Sequence, residues 1–313
     1  MFATKGTKKG GGLLADERLK TFLVVVRCGS LTQAAKELYI SQPAVTLQIH
    51  KLESEYNTAL FYRRERGVEL TPAGKMLYDY AQRIDRLYEE AAEELGALTG
   101  EMRGALRIGA TLTIGEYVLP PIIGTFKSEH PHVDILLEVD NTRRIVEQVA
   151  SGDFDCGLVE GPFDNGLIMA EKLADDELVI VCSPRHQLAG MAKIKPDDLL
   201  QEQFILREPG SGTRQVFEDA LQQAGIDLSR LQVLMQLGST QAIKALVTER
   251  VGVSVLSRWT VMEDTKQGTL CTVDVPGIDL HRSFRFIFRK DTRISLITRH
   301  FISICRKATA CMG

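Results

Sequence analysis

Residues Gly29 to Glu53 read GSLTQAAKELYISQPAVTLQIHKLE, two short helical patterns separated by a tight break. In the first, Leu31, Ala34, Ala35 and Leu38 recur at helical spacing, and Ser30 or Thr32 stands where a side chain accepts hydrogen bonds from the first free backbone N–H groups. The chain restarts at Ser41, a second cap, with Pro43 tolerated because first-turn N–H groups have no acceptor inside the helix. Val45, Ile49 and Leu52 share one face of the second helix, which leaves Pro43, Thr46, Leu47, His50 and Lys51 on the other. This is a helix-turn-helix pattern, and the outer face is the one shaped to enter a DNA major groove. Taken as spacing alone, a plain packed helix pair fits the same residues.

Working outward, Leu19, Phe22, Leu23 and Val26 form a helical stripe between Asp16 and Cys28, a first helix to pack behind the pair. Arg63, Arg64 and Arg66 beside Gly67 suit a turn that projects guanidinium groups, the wing of a winged helix; a solvated charge run is the alternative. Residues 1–68 hold 11 Lys/Arg and 6 Asp/Glu, a balance of +5 that leaves −8 for residues 69–313 within the overall −3. The basic charge therefore gathers around the helix-turn-helix, as phosphate binding requires. Lys5, Lys8 and Lys9 with Gly10 to Gly12 make residues 1–15 a mobile basic tail.

Thr71-Pro72 starts a helix that nothing interrupts until Gly96 or Gly100, a rod on the order of 40 Å. Leu77, Ile84, Ala91 and Leu98 repeat every seven residues, flanked by Ala81, Leu87, Tyr88 and Leu95. Such a stripe on a charged helix needs a partner. The expectation is the same helix of a second subunit, giving a homodimer whose two-fold axis sets two recognition helices on an interrupted inverted repeat of double-stranded DNA. Packing against its own domain is the alternative.

Beyond Gly104 the pattern turns to strands at Leu106–Ala110, Val133–Val139, Phe154–Val159 and Leu178–Cys182, with helices at Glu116–Glu129 and Arg143–Ser151. A second set follows: strands at Phe204–Leu206, Val233–Leu237 and Val253–Val255 with helices at Thr213–Ala224 and Thr240–Glu249. Leu270–Val275, Phe284–Phe288 and a helix at Ser295–Arg306 close the chain. The rhythm implies a parallel sheet covered by helices. In such sheets ligands bind at the carboxyl ends of strands, where helix N-termini present free N–H groups. Three places qualify: Thr111, Leu112 and Thr113; Gly210, Ser211, Gly212, Thr213 and Arg214; and Ser239 with Thr240, while Glu160 and Gly161 line the same cleft. Hydroxyls, close-approach glycines and Arg214 favour a small anion, although each feature alone is an ordinary helix cap.

The order AAxxLxxSQPAVTxQIxxLE, LFxR, LTPAG, then two α/β lobes crossed twice by the chain, resembles the LysR-type transcriptional regulators over nearly the whole length. The resemblance implies an α+β multidomain chain: a winged helix-turn-helix at 16–70, a linker and dimerisation helix at 71–103, and a periplasmic-binding-protein-like effector domain at 104–313. In that domain, lobe I takes about 104–180 and 276–309 and lobe II about 181–275. Gln42, Pro43, Thr46 and Leu47 are expected on base edges, and Thr32, Ser41, Lys51, Arg63, Arg64 and Arg66 on phosphates. Leu47 departs from the polar residue common there, pointing to an apolar contact such as a thymine methyl. Tyr56-Asn57 replaces the usual Leu-Gly, with Asn57 suited to a left-handed helix end. ATLTIGEYVLP, GLVEGP, LREPGSGTR and STQAIKALV look most like the branch linked to sulfur or selenium metabolism and, more distantly, carbon fixation, which implies a sulfur or selenium oxyanion as effector. A homotetramer and a contact with RNA polymerase are further expectations.

Other classes find little support. Six scattered cysteines and six dispersed histidines form no metal cluster, nucleophile elbow or paired-carboxylate motif, so neither an enzyme nor a bound cofactor is expected. The cysteines read as small buried hydrophobes of a reducing compartment. No run approaches a membrane span, and MFATKGTKKGGG lacks the apolar core of a secretory signal, so the expected place is the cytoplasm. A transport-type solute-binding protein shares the two lobes but has no use for residues 16–68. A constitutive DNA-binding protein with an empty cleft is the third reading.

Overall fold

The computed structural model describes residues 16–65, 67–98, 102–191 and 193–310; the expected basic tail at 1–15 and Arg66 lie outside them. The chain divides into two compact units at Gly104. In the first, α1 (Glu17–Cys28), α2 (Leu31–Leu38) and α3 (Gln42–Tyr56) precede a hairpin of β1 (Phe61–Arg64) and β2 (Gly67–Leu70), and α4 (Pro72–Leu98) follows. Ser30 rather than Thr32 caps α2, accepting from Gln33 N at 3.4 Å, and Ser41 caps α3, accepting from Ala44 N at 3.3 Å. Asn57 ends α3 at φ 50°, the left-handed conformation its side chain suits; Tyr39, at φ 56° in the turn between α2 and α3, does the same without that advantage. Phe22, Val25, Ala34, Ala35, Val45, Ile49 and Leu52 make the core of this unit.

The heptad stripe of α4 divides between two fates. Ala81, with Leu77, Tyr78 and Ile84, packs onto the core of its own unit. Met76, Tyr80, Leu87, Tyr88 and Leu95 stay exposed. The amino-terminal half is thus held as the alternative reading had it, and the remaining face carries large apolar side chains in solvent.

The second unit holds β3 (Gly104–Thr111), α5 (Leu119–Glu129), β4 (Val133–Asp140), α6 (Thr142–Ser151), β5 (Cys156–Glu160) and β6 (Ile168–Cys182), then β7 (Gln203–Arg207), α7 (Gly212–Gln223), β8 (Gln232–Leu237), α8 (Thr240–Thr248), β9 (Ser254–Ser257), α9 (Arg258–Gln267), β10 (Cys271–Val273), β11 (His281–Arg289) and α10 (Leu296–Ala310). The expected parallel sheet is mixed. β3 and β5 run parallel, as do β7 and β8, but β11 lies antiparallel between β5 and β6, and β6 is antiparallel to β9 and β10. The cause is β6, which continues ten residues upstream of the apolar run Leu178–Cys182 that spacing reveals. Its first ten residues, IMAEKLADDE, are too polar to read as a buried strand, yet they form a ladder with β11. The two strands carry the chain between the lobes: up to Glu177 β6 pairs with β11, and from Leu178 it pairs with β9 and β10.

Helix formation after β3 begins at Leu112, four residues earlier than the spacing suggests, and the turns at Ile114–Val118 are wound wide, a π-type stretch leading into α5. α9 escapes the periodicity reading because only Thr260 and Val261 of RWTVMEDTKQ are buried.

Candidate nucleic-acid interface and effector cleft

On the first unit, Val45, Ile49 and Leu52 bury the inner face of α3, which turns Gln42, Pro43, Leu47, His50 and Lys51 to solvent, with Thr46 half-buried. Leu47, at 55 % exposure, is an apolar side chain held out on a polar face. Gln42 Nε2 donates to Thr46 Oγ1 at 2.9 Å, so these two groups satisfy each other one turn apart. Gln48 faces inward, where Thr21 Oγ1 donates to its amide oxygen. Thr32 is exposed in the first turn of α2.

The hairpin arginines part company, because neighbouring residues of a strand face opposite ways. Arg63 Nη2 stands 3.5 Å from His50 Nε2 on α3 and so lies beside the recognition helix. Arg64 instead lies over the Tyr62 ring, 5.5 Å from its centroid, and pairs with Glu69 across the hairpin at 2.8 Å.

In the second unit, the strand ends of lobe I meet the first turn of α7 from lobe II. Glu160, closing β5, accepts a hydrogen bond from Thr111 Oγ1 at the end of β3 and is also bonded by Thr113. Its main-chain oxygen accepts from Thr142 Oγ1 at 3.3 Å and touches Gly212 so closely that a Cβ there would sit 1.7 Å away. Gly161, at φ 120°, faces the Gly212 backbone on the same seam. No side chain fits between the two segments. Gly210 approaches the Asn141 side chain, Leu112 is half-buried, and Ser211 and Thr213 are buried.

The cation at this seam is Arg282, which spacing did not single out. Its Nε donates to Asp176 Oδ2 at 2.7 Å and its Nη1 to Thr213 Oγ1 at 3.0 Å, while Nη1 stands 3.9 Å from Glu160 Oε1. Ser257 Oγ donates to the other Asp176 oxygen at 2.7 Å. Arg282, Asp176 and Glu160 are all buried, and Arg282 Nη2 finds no hydrogen-bond partner among the described residues. Burial pushes the Glu160 carboxyl up to about 7, and the neighbouring Asp176 charge adds to the shift; Arg282 opposes both. A signal did exist: Arg282 shares a face of β11 with Phe284, Phe286 and Phe288, a lone cation at the head of an apolar row.

Arg214, expected to neutralise an anion, is turned away from this cluster. Its Nε is paired with Glu218 at 2.7 Å and its Nη1 donates to the Arg207 main-chain oxygen at 3.2 Å. Arg207 itself grips the Glu208 carboxylate at 2.8 and 2.9 Å. Ser239 is an ordinary cap, accepting from Ala242 N at 3.2 Å, and Thr240 is buried beside it. The turn they open nevertheless crosses to lobe I, where Gln241 Nε2 donates to Tyr117 Oη at 2.9 Å. Lys244 Nζ lies 5.5 Å from the Tyr117 ring centroid and 2.7 Å from Asp264. No group of three or more His, Cys, Asp or Glu suited to a metal ion occurs among the described residues, and none of their helices is long and apolar enough to cross a membrane.

Two family models match the chain: a bacterial regulatory helix-turn-helix protein of the lysR family over residues 17–75, and a LysR substrate binding domain over residues 99–310. The probable RuBisCO transcriptional regulator of Cyanidioschyzon merolae is 37 % identical over 269 residues, 85 % of this chain and 89 % of that protein. CysL, an HTH-type transcriptional regulator of Bacillus subtilis, is 35 % identical over 86 % of this chain and 89 % of its own. Among solved structures, the Synechocystis CcmR regulatory domain in complex with 2-PG superposes with a TM-score of 0.62 at 28 % identity, covering 67 % of this chain and 99 % of that one. The resemblance set carbon fixation at the greater distance, yet the RuBisCO regulator is at least as similar to this chain as CysL is. The chain belongs to the LysR family: it is a DNA-binding transcriptional regulator with an effector-binding domain, and its family is not one of enzymes.

Proposed function

We propose that this regulator responds to a small anion held where the first turn after β3 and the first turn of α7 converge, and that occupancy of this site changes the arrangement of its DNA-binding helices. One observation carries the reading: Leu112–Thr113 and Gly210–Thr213 open two helices at the same seam between the lobes, with hydroxyls and main-chain N–H groups on both sides. The anion must prefer one arrangement of the lobes, since a ligand that binds both equally shifts nothing. Arg282, not Arg214, supplies the positive charge of the seam.

A sulfur or selenium oxyanion is the first candidate, as the resemblance of ATLTIGEYVLP, GLVEGP, LREPGSGTR and STQAIKALV implies. 2-PG is the second, because the Synechocystis CcmR regulatory domain is solved in complex with it. On DNA, Gln42, Pro43, Thr46 and Leu47 take base edges, while Thr32, Ser41, Lys51 and Arg63 take phosphates, with Arg64 and Arg66 contributing as wing residues. The uncovered apolar residues Leu87, Tyr88 and Leu95 on α4 support a homodimer on an interrupted inverted repeat. Leu136 on β4 and Val233, Leu234 and Met235 on β8, exposed on strands at the ends of their ladders, support further association to a tetramer. Work in the cytoplasm and contact with RNA polymerase follow from that role.

The test is thermal unfolding of the full chain with sulfate, sulfite, selenite, thiosulfate and 2-PG. At least one raises the midpoint in the wild type and fails to do so in Thr113→Val. Unchanged midpoints with every anion, or an unchanged response in the variant, contradict the reading.

A further inference from the structure

Cys182 ends β6 and Cys271 opens β10, and the two are direct partners across the antiparallel ladder. Side chains of residues directly opposite one another project from the same face. Both cysteines accordingly pack in one cluster of lobe II, with Leu178, Ile180 and Val273, and both are free thiols. Directly opposed Cα atoms in an antiparallel pair stand about 4.5–5.5 Å apart. A disulfide needs roughly 4.4–6.8 Å, so the backbone already satisfies its spacing.

Their place in the chain gives the pair a meaning. Residues 183–270 lie between them and comprise β7, α7, β8, α8, β9 and α9, so the two sulfurs stand at the entry and the exit of lobe II. Cys271 is half-buried and Cys182 fully buried, which lets a small solute reach Cys271 first.

We propose that Cys182 and Cys271 form a reversible disulfide when the protein meets a peroxide, a redox modification site that closes lobe II at its neck. The Cys271 thiolate attacks one peroxide oxygen; an S–O bond forms, the O–O bond breaks and hydroxide leaves. The Cys182 sulfur then displaces that oxygen from Cys271, the S–S bond forms, and the Cys182 proton leaves with the oxygen as water. Two thiols are oxidised by two electrons in all, and one peroxide becomes two waters. Burial pushes the Cys182 thiol up to about 12, so the second step is the slow one.

The experiment treats the full-length protein with hydrogen peroxide, alkylates the remaining thiols and maps the peptides by mass spectrometry. The expected result is a Cys182–Cys271 linked peptide, absent before treatment and removed by dithiothreitol, with a melting midpoint several degrees higher in the linked protein. Cys271→Ser abolishes both the link and the rise, and leaves Cys182 alkylatable after denaturation. Cys271 sulfinic acid without the link, a bond between Cys156 and Cys305 instead, or thiols unchanged by peroxide overturns the proposal, and the wild-type map alone decides between these.

Discussion

On the helix-turn-helix unit, Lys51 and Arg63 stand in solvent and make no ion pair among the described residues, whereas Arg282 of the two-lobed unit is sealed among Asp176, Glu160 and Thr213. The first arrangement costs the fold almost nothing and leaves the cations available to phosphates, whose attraction is non-directional and screened by salt. The second places three ionisable groups in a low dielectric, where each depends on the others for compensation. Charge in the first region is left free for the proposed DNA contacts; in the second it ties the strands of lobe I to α7 of lobe II, with Arg282 Nη2 alone left over for the proposed anion.

The largest expected effect follows from breaking the sealed cluster. Arg282→Met leaves Asp176 and Glu160 buried without their cation and is expected to cost about 3–5 kcal/mol, read from urea unfolding of the full chain. A cost near that of an exposed pair would erase the contrast between the regions.

Next comes Glu160→Gln, which separates charge from shape. The Glu160 carboxyl stands at about 7 in the folded chain, against 4.5 for its ordinary value, so the folded state holds the proton more tightly than the unfolded one. The sign is therefore the reverse of the usual carboxylate: its contribution is full below about pH 4.5 and is lost as pH rises through about 7, by roughly 3 kcal/mol. Unfolding midpoints from pH 5 to 8 should fall more steeply in the wild type than in Glu160→Gln. Parallel slopes would mean that Glu160 is ionised in the fold throughout.

On the exposed side the effects are smaller and appear in binding. Gln42→Ala is expected to cost on the order of 1–3 kcal/mol on promoter DNA and to relax sequence preference, with folding stability unchanged within about 0.5 kcal/mol. Equal loss on promoter and random DNA would place Gln42 off the bases. Arg63→Ala should weaken all duplexes alike and reduce the salt slope by about 1, whereas Arg64→Ala, already engaged with Glu69 and Tyr62, should change it less. Interchangeable arginines would contradict their separation by the hairpin.

The two regions also differ in how far they can be read from sequence. The helix-turn-helix is a local object: its caps at Ser30 and Ser41, the inward row Val45, Ile49 and Leu52, and the left-handed Asn57 all lie within 30 residues, and helical spacing exposes them. The sealed cluster has no such locality. Asp176 and Arg282 are neighbours only because β6 and β11 pair with those residues in register, and Glu160, Thr213 and Ser257 arrive from three other elements. Spacing finds the glycines and hydroxyls at the strand ends, because helix starts carry a signature. It favours Arg214 as the cation because Arg214 adjoins the glycine loop, and the Glu218 carboxylate one turn later removes it from that role.

The central claim, that an anion at the lobe seam alters DNA binding by the other unit, is tested most directly by fluorescence anisotropy of promoter DNA with the full-length protein, titrated with and without the anion that stabilises it. The predicted result is a shift in the apparent Kd or in the salt dependence for the wild type that Thr113→Val abolishes, while Thr113→Val without anion binds as the wild type does. Identical curves with and without the anion in the wild type would contradict it.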